Sequence, residues 1–238
     1  MRAALSTLLV LLAAAACRAP GTPERQASGA AQPGGTVATA EAMTAAAPSD
    51  STALRAAADS GRILGAPGAR VWLIMASDFQ CPYCRRWHDD SYEALRREYV
   101  ASGRVRTAFL NFPLDQHQQA MPAAEAAMCA SAQGKFWPYH SALYTTQDRW
   151  GAMADAAAVY DSLAASVGAD LGRFRACTRS HVMRALVEAD RDRMARVGVR
   201  STPSFFVGNR ALAGAQPTAA FREALDAALA APPAGAAR

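Results

Sequence analysis

The sequence predicts an α/β fold with an inserted helical subdomain, and three observations support that class. Residues 71–115 read as strand, helix and strand, an order that requires a crossover and therefore parallel pairing of the two strands. Residues 117–197 then have helix-forming composition interrupted by glycines, which predicts four or five helices. A strand pattern returns after residue 202. We therefore expect one domain over residues 62–232 that contains the helical insertion.

The first strand and helix are predicted from adjacent patterns. The apolar run Val71–Ser77 follows the turn-forming stretch "GAPGA" and is hydrophobic throughout, as is typical of a strand buried on both faces. Helix-forming residues cover 85–100, where Trp87, Leu95 and Tyr99 are available to pack inward. These two elements open the α/β part of the domain.

The remaining elements of the sheet are assigned in the same way. Residues 104–115 read as a second strand running into a loop, and residues 202–214 as a hairpin with Gly208 and Asn209 at its turn. A last helix covers 217–230. Its apolar face is formed by Phe221, Leu225 and Leu229.

The N-terminal stretch has the pattern of an export signal and a linker. Residues 1–16 combine a positive start with an apolar run too short to span a bilayer as a mature helix. The alanines before Cys17 resemble a bacterial lipoprotein site, so we expect Cys17 to be lipidated; because Ala14 replaces the usual leucine, ordinary cleavage remains an alternative. Small and polar residues over 17–61 predict a flexible tether, and residues 233–238 a disordered tail.

Composition narrows the class of partner. The chain has 238 residues, with 25 basic and 20 acidic side chains and a net charge of +5. The basic residues are scattered rather than gathered in a stripe, which is weak support for nucleic-acid binding. We therefore expect no nucleic-acid partner.

The five cysteines have a spacing that separates their roles. They are Cys17, Cys81, Cys84, Cys129 and Cys177. An odd number in an exported protein needs an explanation, and a lipid anchor on the first cysteine leaves four. An oxidising compartment allows these four to form two disulfides, one local and one distant in sequence.

The local pair lies in the stretch "SDFQCPYCRRWH". Pro82 fits the first position of a helix, which places Cys81 at the N-cap, where free amides and the helix dipole stabilise a thiolate. Cys84 lies one turn further on, within disulfide reach. Arg85 and Arg86 add positive charge nearby. We therefore expect a lowered pKa at Cys81 and exchange chemistry at this pair.

Other roles for the pair are weaker. A structural zinc site would need a second ligand pair at similar spacing, and the histidines at 88, 117, 140 and 181 form no such pattern. A purely structural disulfide would close too small a loop to add much stability. His88 could tune the pair, but a partly exposed histidine with no role is the simpler interpretation.

Four stretches together resemble a known family. They are "GAPGARVWLIMASDFQCPYCRRWH", "AAEAAMCASAQGKFWPYHSALY", "FRACTRS" and "VRSTPSFFVGNRALAGAQP". These are similar to the DsbA-like thiol-disulfide oxidoreductases of the thioredoxin superfamily, in the thioredoxin-like type 4 branch, over about residues 62–230. The resemblance implies a thioredoxin fold with a helical insertion, and no cofactor or metal.

The resemblance assigns roles to individual residues. Cys81 matches the solvent-accessible nucleophile that forms a mixed disulfide with a protein substrate, and Cys84 matches the resolving thiol. Pro203 matches the family's cis-proline, which faces the active site. Thr202 would offer backbone hydrogen bonds to the substrate, and Pro82 and Tyr83 would complete the substrate contacts.

The resemblance leads to two further inferences, one about a second cysteine pair and one about a missing acidic residue. Several members of the branch carry cysteines at the positions of Cys129 and Cys177, which implies a structural disulfide; two buried free thiols are the alternative. Many relatives have a glutamate six residues before the first cysteine, where a buried carboxylate can move the proton of the resolving thiol. Met75 occupies that position here. Asp78 is nearby but need not point the same way, so the family's redox poise does not transfer directly.

These inferences lead to a functional expectation. We expect an exported, extracytoplasmic or periplasmic lipoprotein, monomeric, that forms disulfides in exported or envelope proteins and is reset by a membrane redox partner. A reductase or isomerase of the same fold is the first alternative, and it is disfavoured because no dimerisation domain is present. A redox-inactive partner-binding or copper-delivering lipoprotein is the second, with Met75 and His88 as its only basis.

Overall fold

The computed structural model describes residues 50–232. The predicted signal peptide, Cys17, most of the tether and the tail over 233–238 lie outside these residues. The described chain forms a five-stranded mixed sheet with helices around it. The strands are β1 Ile63–Leu64, β2 Val71–Ser77, β3 Val105–Asn111, β4 Ser204–Val207 and β5 Arg210–Ala213.

Helical segments make up most of the rest. They are α1 Asp50–Gly61, α2 Pro82–Trp87, α3 Glu93–Leu95, α4 Ala120–Ser131, α5 Phe136–Thr145, α6 Gln147–Trp150, α7 Ala157–Ser166, α8 Leu171–Arg179, α9 Arg184–Arg196 and α10 Thr218–Ala230. Within residues 50–232, none of these helices combines the length and the apolar character needed to cross a bilayer.

The sheet has the order β1-β3-β2-β4-β5. β2 and β3 pair in parallel along their whole length, from Val71 opposite Val105 to Ser77 opposite Asn111. β4 pairs antiparallel with β2 and with β5. Gly208 occupies the hairpin turn with a φ of 57°, a left-handed conformation that glycine adopts without steric cost. The structure thus confirms the predicted α/β class, the parallel pair and the hairpin.

One face of the sheet carries the aromatic core. Phe205 of β4 packs against Trp87 of α2 and Phe221 of α10, with ring centroids 4.5 and 4.7 Å apart. Leu73 and Met75 of β2 are buried, as is Ala76 on the alternate face, whereas Trp72 and Ile74 of that alternate face are only partly covered. The strand therefore buries one face more fully than the other, where the sequence predicted burial on both.

The helical stretch after β2 runs without a break from α2 to residue 100. It contains two π-helical turns, His88–Tyr92 and Arg96–Val100, on either side of α3. Trp87, Leu95 and Tyr99 are all buried, so the predicted inward face is correct.

The helical insertion has one helix more than the four or five predicted. The six helices α4 to α9 lie between β3 and β4. The extra one is α6, which follows α5 after Thr146 alone, so no glycine marks the boundary between them. A disulfide joins Cys129 of α4 to Cys177 of α8, 48 residues apart in sequence.

The predicted tether ends too late. Residues 50–61 form the helix α1, because Leu54 and Ala58 place apolar atoms one turn apart and pack against the core. Ser131 of α4 donates a hydrogen bond of 2.6 Å to the Ala58 carbonyl. A Cβ on Gly61 would lie 2.6 Å from the Ser131 carbonyl oxygen, so glycine permits this close approach.

A buried ion pair fixes the start of β1. The Arg62 guanidinium contacts both carboxylate oxygens of Asp190 in α9, and the Asp59 carboxylate of α1. The same Asp190 carboxylate accepts hydrogen bonds from the backbone and side-chain amides of Asn111, at 3.1 and 3.0 Å. This network connects α1, the end of β3 and α9, and Asp190 is fully buried within it.

Candidate active site

The Cys-x-x-Cys pair lies where β2 passes into α2. Cys81 occupies the N-cap with extended backbone, and Pro82 begins the helix, as the sequence predicted. The amides of Cys84 and Arg85 both donate to the Cys81 carbonyl, at 3.1 and 3.2 Å. Both cysteines are free thiols in this structure. The site is therefore described in its dithiol form.

The two thiols are chemically unequal. The pKa of Cys81 is lowered from 9.0 to about 6, first by a hydrogen bond from the Cys84 thiol and then by the Thr202 side chain and the amides of Cys84 and Tyr83. Burial raises the pKa of Cys84 well above 9.0, and its contact with Cys81 adds to that shift. A thiolate at this site therefore belongs on Cys81.

Accessibility differs from the expectation for a nucleophile. The resemblance implied a solvent-accessible Cys81, but that residue is 3% exposed and Cys84 is 1% exposed. Tyr83, between them, is 61% exposed. The backbone that presents Cys81 is therefore open to a partner at Tyr83, while the sulfur itself is largely covered.

Thr202 and Pro203 lie against the reactive sulfur. The peptide bond between them is cis, and the Cys81 thiol donates to the Thr202 carbonyl over 3.5 Å. The Thr202 hydroxyl is buried and has no hydrogen-bond partner among the described residues when Cys81 is a thiol. A thiolate at Cys81 gives that hydroxyl an acceptor, which is consistent with its effect on the Cys81 pKa.

Glutamine side chains connect the loop before Cys81 to the helical insertion. The Gln147 amide donates to the carbonyls of Phe79 and Cys81, at 2.7 and 3.2 Å. Gln80 donates to the Gly151 carbonyl over 2.6 Å. These bonds connect the α/β core and the insertion at the point where the nucleophile is presented.

Asp78 organises the base of the same loop. Its carboxylate accepts hydrogen bonds from the amides of Gln80 and Leu114, at 2.7 and 3.0 Å, and lies 2.6 Å from His117 Nδ1. Burial raises the pKa of this carboxyl above its ordinary value, although the hydrogen bonds oppose that shift. Asp78 therefore ties the loop to the chain that follows β3.

The arginines and the histidine near the cysteine pair have different surroundings from those expected from the sequence. Arg85 pairs with Asp148 at 2.5 Å and Arg86 with Asp90 at 3.9 Å, so their positive charge is compensated. His88 is buried rather than partly exposed, because its ring stacks on a tyrosine and lies among other aromatic rings. Within residues 50–232, no group of three or more His, Cys, Asp or Glu side chains is placed to hold a metal ion.

Comparison with known proteins identifies the family. The family model Thioredoxin_4, described as Thioredoxin, matches residues 57–227. The chain belongs to the thioredoxin family. The probable disulfide bond formation protein D of Bacillus anthracis is 28% identical over 160 residues, which are 62% of this chain and 70% of that protein.

Solved structures share the thioredoxin-family fold. BdbD from Bacillus subtilis, in its oxidised form, superposes with a TM-score of 0.66 at 20% identity and covers 72% of this chain and 95% of its own. A thioredoxin-like oxidoreductase from Silicibacter pomeroyi DSS-3 superposes with a TM-score of 0.60 at 26% identity, covering 76% and 98%. The family and its neighbours make this chain a DsbA-like thiol-disulfide oxidoreductase.

The structure brings six of the site residues named from the sequence into one place. These are Cys81, Pro82, Tyr83, Cys84 and Thr202, with Pro203 beside them. Cys129 and Cys177 lie in the insertion, and Cys17 lies outside the described residues.

The supporting side chains were not named in advance. Gln147 and Tyr144 both come from the insertion, where Gln147 donates to the Phe79 carbonyl and the Tyr144 hydroxyl lies 2.9 Å from Ser77 Oγ. Both residues lie far from Cys81 in the sequence. No local pattern could have indicated them.

Proposed function

We propose that this thiol-disulfide oxidoreductase is an exported oxidase that introduces disulfides into thiol-bearing proteins. Cys81 is the residue that exchanges with the substrate. Cys84 is the leaving group when the substrate opens the enzyme disulfide, and the resolving thiol when a mixed disulfide is broken from the enzyme side. A single observation carries the proposal: the pKa of Cys81 is lowered to about 6 while that of Cys84 is raised. This inequality assigns the leaving and attacking roles within the pair.

The inequality also favours oxidation over reduction. A stabilised Cys81 thiolate lowers the free energy of the reduced enzyme, which makes its disulfide a stronger oxidant. With a pKa of about 6 in place of 9.0, the stabilisation at pH 7 is about 1.4 kcal/mol, equivalent to about 30 mV. This shift in reduction potential is moderate. The enzyme disulfide must therefore be able both to oxidise its substrates and to be re-formed by its redox partner.

The reaction passes one pair of electrons from the two substrate thiols to the enzyme disulfide, and from the enzyme dithiol to the redox partner. A substrate thiolate attacks Cys81 of the enzyme disulfide, and Cys84 leaves with the electron pair. The second substrate thiolate then attacks the sulfur bonded to Cys81, which releases the oxidised substrate and leaves Cys81 as a thiolate. A membrane redox partner that accepts two electrons restores the enzyme disulfide.

The surface around Cys81 supports contact with an extended substrate. Tyr83 is exposed at the start of α2, and the Thr202 carbonyl, next to Pro203, lies 3.5 Å from the Cys81 sulfur. We assign substrate contact to these residues and to Pro82. The disulfide between Cys129 and Cys177 stabilises the insertion that holds the loop.

Trapping tests the exchange reaction. A Cys84→Ala variant retains Cys81 but lacks the thiol that breaks a mixed disulfide from the enzyme side. With a small-molecule disulfide supplied as the two-electron oxidant, it should accumulate covalent adducts with exported proteins in its native compartment. Cys81→Ala/Cys84→Ala is the matched control and should form none. If Cys84→Ala traps no protein while Cys81 remains reactive, the exchange function is wrong.

The direction of catalysis, oxidation or reduction of substrates, is tested by measuring the reduction potential of the cysteine pair at equilibrium with glutathione. An oxidase should have a reduction potential well above the value of about −270 mV that is typical of thioredoxin. A potential at or below that value, with rapid reduction of insulin, would assign the reductase role instead.

Localisation and metal content have separate tests. Mass spectrometry of the mature N-terminal peptide should find a lipid on Cys17, and a Cys17→Ser variant should be released from the membrane fraction. An unmodified N-terminus after residue 16 would support ordinary cleavage. Stoichiometric copper or zinc in the purified protein would favour metal delivery over exchange.

A further inference from the structure

The resolving thiol lies beside two buried hydroxyl groups. Ser77, the last residue of β2, has its Oγ 2.9 Å from the Tyr144 hydroxyl, which comes from α5 of the insertion. Ser77, Tyr144 and Cys84 are each at most 7% exposed. Water therefore has little access to the place where Cys84 must change its charge.

Ser77 projects from the same face of β2 as Met75. Residues two apart in a strand share a face, and these two belong to the buried face of the strand. Met75 can donate no hydrogen bond and is packed opposite Phe205 and Phe109. Ser77 is thus the first hydrogen-bonding side chain beyond Met75 on the face nearest the cysteine pair.

Ser77 also acts on Cys84 directly. The Ser77 side chain lowers the pKa of the Cys84 thiol, against the larger effect of burial. The negative charge of a Cys84 thiolate in turn raises the pKa of Tyr144, whose burial is the main cause of its shift. The three groups therefore respond to one another's protonation.

The Tyr144 hydroxyl can take two orientations. Its oxygen lies 2.9 Å from Ser77 Oγ and 3.4 Å from the Asp78 carbonyl, and it has one proton to donate. When Tyr144 donates to Ser77, the Ser77 proton is free to point at Cys84. When Ser77 donates to Tyr144, the tyrosine proton goes to the Asp78 carbonyl, which already accepts from the Cys81 amide at 3.2 Å.

We propose that Ser77 and Tyr144 form a two-hydroxyl donor chain that stabilises the Cys84 thiolate at the moment the enzyme disulfide opens. Ser77 is the group that contacts the reacting sulfur, and Tyr144 is a positioning residue that acts through Ser77. The inference rests on exchange at Cys81 and Cys84. It gives the helical insertion a part in the chemistry of the resolving cysteine.

The step balances without another reactant. The substrate thiolate attacks Cys81, the bond between Cys81 and Cys84 breaks, and Cys84 Sγ receives the electron pair of that bond. Tyr144 then donates to Ser77 and Ser77 donates to the new thiolate. Cys84 afterwards takes up the proton that the second substrate thiol releases when it attacks the mixed disulfide, and the hydroxyls turn to the second orientation.

The experiment measures the rate at which a dithiol peptide opens the disulfide of the oxidised full-length protein. Loss of a hydrogen bond to a charged group corresponds to about a tenfold change, so Ser77→Ala should slow opening about tenfold. Tyr144→Phe should slow it by a smaller factor. Tyr144→Phe should add nothing in the Ser77→Ala background, because its effect passes through that serine.

Two further measurements separate this role from a structural one. Tyr139→Phe is the matched control, because Tyr139 is buried in the same helix and donates to the Tyr160 carbonyl at 3.1 Å; it should leave the opening rate unchanged. The reduction potential at pH 7 should also stay unchanged in Ser77→Ala, because Cys84 is a thiol in the reduced enzyme at equilibrium.

The outcomes are distinguishable from those of the exchange test. If the wild-type protein exchanges thiols but Ser77→Ala opens at the wild-type rate, the donor chain is wrong and the function stands. Equal losses from Tyr144→Phe in both backgrounds would remove Tyr144 from the chain. A parallel fall in potential and rate would assign Ser77 to the stability of the reduced state instead.

Discussion

The hydrogen bond between the two thiols should set most of the acidity of Cys81. Its pKa of about 6 lies three units below the ordinary 9.0, a difference of about 4 kcal/mol between the two protonation states. The first cause of that shift is the bond from the Cys84 thiol. A hydrogen bond to a charged group contributes about 1.5–3 kcal/mol, so removing it should raise the pKa by about one to two units.

The test compares Cys84→Ala with Cys84→Ser. The alanine variant has no donor and should titrate Cys81 near pH 7 to 8, at about one to two units above the wild type. The serine variant keeps an O–H donor and should titrate close to the wild type. The assay is the alkylation rate of Cys81 against pH, read from its own peptide by mass spectrometry so that other thiols do not contribute.

One result would refute the reasoning directly. If Cys81 has the same low midpoint in both variants, the amides at the start of α2 and the Thr202 hydroxyl produce the shift and the thiol pair does not. A midpoint near 9.0 in the dithiol wild type would contradict the lowered pKa itself.

The same shift makes the stability of the reduced protein depend on pH. A depressed folded pKa stabilises the native state, and the contribution is fully present above the unfolded pKa of 9.0 and lost as the pH falls through about 6. It amounts to about 1.4 kcal/mol at pH 7. The free energy of unfolding in urea should therefore rise between about pH 6 and pH 9 for the reduced protein. It should not rise in this way for the oxidised protein, which lacks both thiols. A pH-independent difference between the two forms would contradict it.

Three further changes test the scaffold by urea unfolding. Replacing both Cys129 and Cys177 with alanine opens a loop of 48 residues and should cost about 4 kcal/mol while exchange activity is kept; an unchanged midpoint would show that the disulfide adds no stability. Asp190→Asn removes the buried carboxylate partner of Arg62 and leaves that charge with the exposed Asp59; it should cost about 3 kcal/mol. Replacing both partners with apolar residues should cost less than that single change, and a larger cost would contradict this account. Gln147→Leu leaves the Phe79 carbonyl without its side-chain donor, while the Cys81 carbonyl keeps the amides of Cys84 and Arg85. It should cost about 1–3 kcal/mol, whereas wild-type stability would show that water replaces the side chain.

Local patterns predicted the elements that carry the reaction. The apolar run of β2, the proline at the start of α2 and the Gly208-Asn209 turn each have a signal within a few residues, and all three lie where expected. Helix α1 was missed because its apolar side is made by one leucine and one alanine only. Its composition is therefore similar to that of the small, polar residues that precede it. It becomes a helix through contact with α4, which composition does not reveal.

The environment of the cysteine pair was less predictable for the same reason. The hydroxyls of Ser77 and Tyr144 meet across 67 positions of the chain, and Asp78 meets His117 across 39. The N-cap position of Cys81 did predict the direction of its pKa shift. It did not predict that Cys84 would be the first cause of that shift, because the cause depends on the positions of two side chains rather than on the backbone.

The helical insertion therefore contributes to the site together with the segment that carries the cis-proline. Thr202 approaches Cys81 from the hairpin, whereas Tyr144 of α5 approaches Cys84 through Ser77. Thr202 and Ser77 thus come from different parts of the chain, and each can be replaced without changing the sulfur on which the other acts. Because Thr202 acts on the ionisation of Cys81 and Ser77 acts on the opening of the disulfide, the oxidising strength of the enzyme and its speed can be changed separately through these two side chains.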